Sequence, residues 1–149
     1  MAEKRVLTDR QLYSLIYSSR ETLLSSIFAD RADAPWLPFI GLELRVCSFV
    51  SARLQEAVLR DSKLVLVFFC SADLTGSSWS SCRLVGCHLR GAILTDAVIE
   101  DVVFDRCSMP SVVTKGTVFR RCTFIETQVV PHKTAVLEDC RHIPRGTLC

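Results

Sequence analysis

The sequence predicts an all-β solenoid with an α-helical cap at its N-terminus, and two periodic patterns carry most of that expectation. Every fifth residue from Leu44 to Val129 is large and apolar, with Thr114 as the single exception among eighteen positions. The residue two positions before each of these large residues, from Cys47 to Thr127, is small or β-branched. A helix repeats every 3.6 residues and a strand every 2, so neither keeps a five-residue phase. Such a phase is typical of repeat folds, whose units bury their apolar faces by stacking on one another.

The two registers also predict which side chains point inward. A large and a small residue two positions apart lie on the same side of an extended segment. If both fill the interior, the other three residues of each repeat face outward and turn the chain. The core is then built from one bulky and one slim side chain per repeat.

The clearest copies of the repeat are Ala52-Arg53-Leu54, Ala72-Asp73-Leu74 and Ala92-Ile93-Leu94. At these residues the chain resembles the pentapeptide-repeat family, whose motif is approximately A(D/N)LxX. The resemblance covers residues 41–130, about sixty per cent of the chain. It implies a right-handed, four-sided β-helix with one pentapeptide per side, in which residue n stacks on residue n+20. Eighteen repeats then make four and a half coils, with Leu64, Leu84 and Phe104 directly above one another.

The predicted organisation has three parts: a helical cap and linker over 1–40, the β-helix over 41–130, and an irregular cap or tail over 131–149. A helix is expected over 8–28, opened by a capping box of Thr8 and Gln11. A break near Ser18, with a second helix after it, is the alternative. The apolar stripe of this segment is expected to cover the open end of the solenoid rather than a partner.

The segment 30–38 has the composition of a linker, because it is charged and then contains Pro35 and Pro38 on either side of Trp36. Trp36, Phe39 and Ile40 are expected to seal the first coil. After Val129 the five-residue phase is lost, and two prolines discourage regular structure.

Five of the eight cysteines, Cys47, Cys82, Cys87, Cys107 and Cys122, occupy the slim inward register. Cysteine at such a position behaves as a small buried apolar residue, so reduced thiols are expected. A bridge between the stacked neighbours Cys87 and Cys107 is the alternative. The N-terminus lacks the apolar segment of a secretory signal, and no apolar run could span a membrane. The protein is therefore expected to be cytoplasmic as synthesised, with export through a dedicated secretion system as an alternative.

No nucleotide-binding loop, nucleophile elbow or zinc-protease helix is present in the sequence, so neither an enzyme nor a cofactor is expected. His88 is expected on an outer wall as a solvated imidazole. A zinc site assembled from His132, Cys140, His142 and Cys149 is disfavoured, because structural zinc sites use closer paired ligands.

Apolar residues at outward positions give the strongest functional signal, because a contiguous exposed apolar patch marks an interface. Val65, Leu66, Phe68 and Val85 fall together on the stacking rule, and Val98 and Val118 form a further column. These six residues are the predicted interface. The alternative is that the N-terminal segment or the tail covers them.

The function predicted from these features is a non-enzymatic scaffold that presents its walls to a protein partner or to a second copy in a homodimer. A bacterial effector delivered to host cells is an alternative, weakly supported by a serine-rich N-terminus. A DNA-mimicking, topoisomerase-binding protein is disfavoured, because residues 41–130 hold ten basic and nine acidic residues. The same balance makes nucleic-acid binding an unlikely role.

Overall fold

The computed structural model describes residues 3–18 and 20–145, and most of them wind into a solenoid with four walls. We name the walls A to D in the order in which the chain follows them. Walls A and D are parallel sheets of seven and six short strands, whereas walls B and C are stacks of isolated parallel bridges. Each coil passes once along every wall.

The strands of wall A are β2 (Leu23–Ser25), β5 (Glu43–Arg45), β7 (Lys63–Val65), β9 (Arg83–Val85), β11 (Val103–Asp105), β13 (Thr123–Ile125) and β15 (Arg141–Ile143). Those of wall D are β4 (Pro38–Ile40), β6 (Val58–Arg60), β8 (Ser78–Ser80), β10 (Val98–Glu100), β12 (Val118–Arg120) and β14 (Val136–Glu138). Wall B begins with β3 (Ile27–Phe28), which pairs with β1 (Arg5–Val6), and continues through Ser48, Phe68, His88 and Ser108. Wall C runs through Asp33, Arg53, Asp73, Ile93 and Val113.

The predicted register of twenty residues is confirmed along the middle coils. On wall A, Leu64 pairs with Leu84 and Leu84 with Phe104. On wall D, Leu59 pairs with Trp79 and Trp79 with Ile99. The fold is therefore the four-sided β-solenoid that the five-residue phase predicts.

Aromatic rings stack inside the solenoid, and its inward polar side chains are hydrogen-bonded. The Phe104 and Phe124 rings lie 5.1 Å apart at an interplanar angle of 4°. The Thr117 hydroxyl donates to the Leu94 carbonyl (2.6 Å), and the Trp79 indole N–H donates to Ser77 Oγ (2.8 Å). Among the described residues, no buried side-chain nitrogen or oxygen lacks a partner. The core therefore holds polar residues without an unsatisfied group.

Every fifth residue from Ser26 to Glu126 has a positive φ and makes a corner between two walls. Only five of these corner residues are glycine. The left-handed conformation is therefore imposed mainly on residues that carry a Cβ, and the stacked walls hold it in place.

The N-terminal helix is shorter than predicted: α1 spans Asp9–Ser18, so the expectation of a helix over 8–28 is wrong beyond Ser18. The capping box is present, because the Thr8 N–H donates to Gln11 Oε1 and the Gln11 N–H donates to Thr8 Oγ1. Residues 23–25 and 27–28 form β2 and β3 instead of a second helix. Their backbone groups pair with the next coil, an interaction that outweighs the local helical pattern.

The segment 1–40 therefore contributes β2, β3 and β4 to the walls in addition to the helix, and the solenoid has more coils than the four and a half predicted. Seven strands are stacked in wall A. Phe39 is buried as expected, but Trp36 is 64% exposed and Ile40 is 42% exposed, so neither seals the first coil. Both face outward because Trp36 is a corner residue and Ile40 precedes the next corner, Gly41.

The segment 131–145 is also more regular than predicted, because β14 and β15 extend walls D and A. Phe119 pairs with Leu137 and Phe124 with His142, an offset of eighteen residues instead of twenty. The phase is lost because the chain is two residues shorter between Val129 and Leu137. Pairing is kept because the shortening falls outside the two strands.

The five inward cysteines are buried, as predicted, and they are present as free thiols in this structure. Cys70 and Cys140 are also free and partly exposed. Within the described part of the chain, no helix has the length and apolar character needed to cross a bilayer.

Candidate interaction surface

Four of the six predicted interface residues meet where wall A turns into wall B. Val65 and Val85 are paired neighbours at the ends of β7 and β9, Leu66 makes the corner after Val65, and Phe68 follows on wall B. Val46 makes the same corner one coil earlier. We call these five residues the corner ridge: Val46, Val65, Leu66, Phe68 and Val85.

The two corner residues of the ridge are exposed and have unfavourable backbone conformations. Val46 has φ 54° and is 45% exposed, and Leu66 has φ 53° and is 46% exposed. A left-handed conformation costs an L-residue about 1–2 kcal/mol, and it is most unusual for a β-branched residue such as valine. Burial compensates only in part at either position, because nearly half of each residue remains in contact with water.

The rest of the ridge is held firmly by its neighbours. The Phe68 ring stacks on the His88 ring, with 4.8 Å between centroids and an interplanar angle of 8°. His88 is therefore a half-covered stacking partner rather than a freely solvated imidazole. A Cβ added at the next corner, Gly86, would lie 3.1 Å from Leu66 Cδ2, so the Leu66 side chain leans over that glycine.

Val98 and Val118 lie elsewhere and do not join the ridge. They pair with each other on the outside of wall D, where both are partly exposed. Ser78 interrupts this column between Val58 and Val98. The predicted interface thus divides into a compact group of four residues and a separate pair.

Charged residues beside the ridge and on the adjacent corners are largely paired. Asp105, which pairs with Val85 in the sheet, accepts from Arg83 Nη2 (2.8 Å) and Arg106 Nε (2.9 Å). The hydrogen bond that Arg106 donates to Asp105 raises the pKa of Arg106. The ridge is therefore bordered by paired ions, in which two arginines share one carboxylate.

Oppositely charged residues at the end of wall D and on the next corner also pair with each other. Arg121 Nε donates to Asp101 (2.9 Å) and Arg121 Nη2 to Glu100 (3.1 Å). The Arg121 hydrogen bond lowers the pKa of Asp101. Arg120 Nε donates to Glu138 on the last coil (2.8 Å), which raises the pKa of Arg120. These pairs give no support to a DNA-like acidic surface.

Two of the depressions on the described part of the solenoid hold several polar side chains, and neither assembles a catalytic set. A polar groove of about 740 Å³ at the corner from wall D to wall A includes Asp61, Lys63 and Arg83 in its lining. A cleft of about 1120 Å³ at the C-terminal end includes Met109, Phe124 and Ile143. In neither lining do a nucleophile, a base and an orienting group lie in hydrogen-bonded sequence.

The disfavoured zinc set does not come together among the described residues. No group of three or more histidine, cysteine, aspartate or glutamate residues within 3–18 and 20–145 could hold a metal ion. The His142 ring stacks on Phe124 (4.8 Å), and His132 Nδ1 lies 2.8 Å from Thr134 Oγ1. Cys149 lies outside the described residues.

Sequence reasoning left two exposed apolar corners, Val46 and Trp36, out of the candidate interface. Both fall on the same phase as Leu66, because 36, 46 and 66 differ by multiples of five. Extending that phase back to Ser26 would have placed both at outward turns. Trp36 itself lies on the corner between walls C and D, away from the ridge, so it belongs to a different surface.

Comparison with known proteins supports the fold. Residues 52–79 and 80–109 match the sequence model described as pentapeptide repeats, with eight copies. A pentapeptide repeat protein (Rfr23) from the cyanobacterium Cyanothece 51142 is 20% identical, over 72% of this chain and 67% of that protein, with a TM-score of 0.56. A pentapeptide repeat protein from the Arabidopsis thaliana thylakoid lumen is also 20% identical, over 74% and 70%, with a TM-score of 0.51. Among curated proteins, no significant match was found.

Proposed function

We propose that this pentapeptide-repeat protein is a non-enzymatic scaffold that binds another protein chain through the corner ridge. The observation that carries the proposal is the pair of exposed apolar corners, Val46 and Leu66, in left-handed backbone. Of the corner positions from Ser26 to Glu126, only three hold an apolar residue other than glycine. Two of those three are consecutive in one column.

Neither backbone preference nor core packing accounts for valine and leucine at these two corners. Serine, aspartate and glycine occupy most of the equivalent positions, and they tolerate the left-handed conformation at lower cost. Burial in the protein itself offsets the strain only in part, because 45% of Val46 and 46% of Leu66 remain exposed. Contact with a partner would bury them, and a strained residue without a local explanation is a sound starting point for a functional hypothesis.

The shape of the ridge suits a protein partner. Val65 and Val85 form a flat apolar strip along wall A, and the stacked Phe68 and His88 rings continue it onto wall B. Both sides are carried by a solenoid in which successive coils are hydrogen-bonded, so little backbone freedom remains to be lost on binding. The ions at the border of the strip are already paired, so the partner does not need to supply opposite charges there. This favours an apolar contact.

The test replaces the ridge and a matched exposed valine separately. Val65→Glu with Phe68→Ser, and Leu66→Ser alone, should each remove partner binding without unfolding the protein. Val113→Ser on wall C is the control, because Val113 is similarly exposed at 42% and lies away from the ridge. Photo-cross-linking from position 66 in the native host detects a different partner, and light scattering of the pure protein detects a second copy.

The expected result is a cross-linked adduct or a dimer mass that both ridge variants lose and the control keeps. If the ridge variants and Val113→Ser behave alike in both assays, the ridge is not the binding surface. The non-enzymatic part of the proposal is separate from this outcome, since it depends on the absence of a catalytic set in the two depressions.

A further inference from the structure

Two pairs of cysteine thiols are stacked inside the solenoid, one in its middle and one at its C-terminal end. Cys87 and Cys107 occupy one inward column, and the Ser108 N–H donates to the Cys87 carbonyl (2.9 Å). Cys122 and Cys140 occupy another, and the Arg141 N–H donates to the Cys122 carbonyl (2.9 Å). Both pairs are therefore immediate neighbours on hydrogen-bonded coils.

Within the end pair, the two side chains have the same orientation, displaced by one coil. Cys122 Sγ donates to the Ile99 carbonyl (3.3 Å) and Cys140 Sγ to the Phe119 carbonyl (3.4 Å). Ile99 and Phe119 are themselves paired neighbours. Strands in a sheet lie about 4.8 Å apart, within the range of Cα separations of about 4.4–6.8 Å that disulfides allow. Only a small approach of the two Cβ atoms is needed to form a bond.

The two pairs differ in their freedom to make that approach. Cys107 is enclosed from above, because its N–H donates to Thr127 Oγ1 on the following coil (3.0 Å). The Cys122–Cys140 pair ends its column within the described chain, and β14 and β15 are the outermost strands of their sheets. Cys140 is also partly exposed, whereas Cys87 and Cys107 are both buried. A reagent in solution can therefore reach the end pair through Cys140.

We propose that Cys122 and Cys140 are a reversible disulfide site that ties the last coil to the one before it. The co-reactant is a low-molecular-weight disulfide such as oxidised glutathione. The Cys140 thiolate attacks one sulfur of that disulfide, forms a mixed disulfide and releases one thiolate. The Cys122 thiolate then attacks Cys140 Sγ and releases the second. Two protein thiols lose their protons to solvent and are oxidised, and one small disulfide is reduced to two thiols.

The order of the steps follows from the surroundings of the two sulfurs. Burial, with a smaller contribution from Cys140, raises the pKa of Cys122 to about 12. Cys122 is therefore almost entirely protonated at neutral pH and acts second, once Cys140 carries the leaving group. Because the thiolate fraction of such a group rises about tenfold per pH unit, ring closure should accelerate about a hundredfold between pH 7 and pH 9.

The experiment treats the full chain with oxidised glutathione and follows it by intact mass and peptide mapping without reduction. Cys70→Ser and Cys149→Ser are included in every sample to remove competing thiols. This parent should lose two hydrogen atoms in mass and yield a linked pair of peptides containing Cys122 and Cys140. Adding Cys122→Ser should leave glutathione attached to Cys140, and adding Cys140→Ser should prevent both products. Adding Cys87→Ser is the matched control and should leave the disulfide unchanged.

Hydrogen exchange of β14 and β15 provides a second readout, since the disulfide should slow exchange there and leave β7 and β9 unaffected. The proposal is overturned if the linked peptides contain Cys87 and Cys107. It is also overturned if the parent, like the Cys122→Ser variant, still carries glutathione on Cys140 after long incubation at pH 9. An unreactive Cys140 in a chain with a native circular dichroism spectrum would equally refute it.

Discussion

The two ends of the solenoid are closed in different ways. At the N-terminal end, α1 packs a fully buried Leu12 against the first coil, and β1 pairs with the edge strand β3. The Tyr13 hydroxyl donates to the Pro35 carbonyl (2.7 Å), which fixes the helix to wall C. At the C-terminal end of the described chain, β14 and β15 are outermost, and Val136 and Leu137 are 41% and 37% exposed.

The difference shows two ways of managing an exposed sheet edge. The first end covers its edge with apolar packing and a backbone strand, which is the usual role of a terminal cap in a repeat protein. The second end keeps its edge strands three residues long and places His142 at a central inward position, where earlier coils hold leucine or phenylalanine. An ion pair between Arg120 and Glu138 joins its last coil to the body. The last coil should therefore be the least stable part of the solenoid.

The largest expected loss of stability comes from a core substitution in the middle of the solenoid, compared with one at its C-terminal end. Leu84→Ala removes a completely buried side chain and should destabilise the protein by about 2–5 kcal/mol, as large-to-small core changes do. Leu137→Ala removes the bulky central residue of wall D in the last coil, which is partly exposed, and should cost about 1 kcal/mol or less. Urea denaturation measures both. Equal losses would mean that the two coils are equally well packed.

A smaller effect is expected at the N-terminal cap. Leu12→Ala should destabilise by about 2–3 kcal/mol, in the lower part of the range for buried leucine, because α1 can detach without unfolding the coils. Hydrogen exchange should then increase at β3 and β4 and stay unchanged at β12. Leu15→Ala on the same helix is the control, since Leu15 is only partly buried. If exchange rose along the whole solenoid instead, the cap and coils would be one cooperative unit.

The ion pair of the last coil should matter only locally. Glu138→Gln removes the negative charge that accepts the 2.8 Å hydrogen bond from Arg120 and should increase hydrogen exchange in β14. The midpoint of global unfolding should not move, because exposed ion pairs contribute little to it. High salt should reproduce the effect in the parent protein. A shifted midpoint would show that the last coil is tightly coupled to the rest.

The smallest effect concerns pH and the ion pair between Asp101 and Arg121, which joins the two preceding coils. The hydrogen bond from Arg121 lowers the pKa of Asp101 below its usual value of 3.8. The contribution of this carboxylate to stability is therefore present above about pH 4 and is lost as the pH falls through the lower, folded-state pKa. Asp101→Asn should be slightly less stable than the parent at pH 7, and the difference should vanish in acid. A difference that persists at pH 2 would assign the effect to another cause.

The middle of the fold was predictable from the sequence, but the ends were not. Between Leu44 and Val129 the size of each inward residue repeats with the phase, so one rule identifies the core. In the first coil the phase continues, and the central Leu24 and Phe39 are still large, but two other repeats break the size rule. Ala29 and Ala34 occupy two of the central positions, and Ile27 and Leu37 two of the companion positions. A search for large central residues therefore places the start of the solenoid one coil too late, although the interior volume is still filled.

The C-terminal coil escaped prediction for a different reason. Strand pairing depends on the backbone groups of β14 and β15, so a coil two residues shorter can still pair as long as the strands themselves align. A prediction based on the five-residue phase counts residues along the chain, so it cannot detect a coil that is two residues shorter. The corner ridge was identified only in part, because the sequence marks Val46 as an outward residue but does not reveal its left-handed backbone.

The twenty-residue register has a consequence for how this chain is made. Each coil forms its main contacts with the coil synthesised just before it, so no segment has to wait for a distant partner to leave the ribosome. The cap and first coil emerge first and provide a finished edge on which the second coil can settle, and so on towards the last. Assembly can therefore proceed during translation in one direction, from the N-terminal coils towards the C-terminal ones.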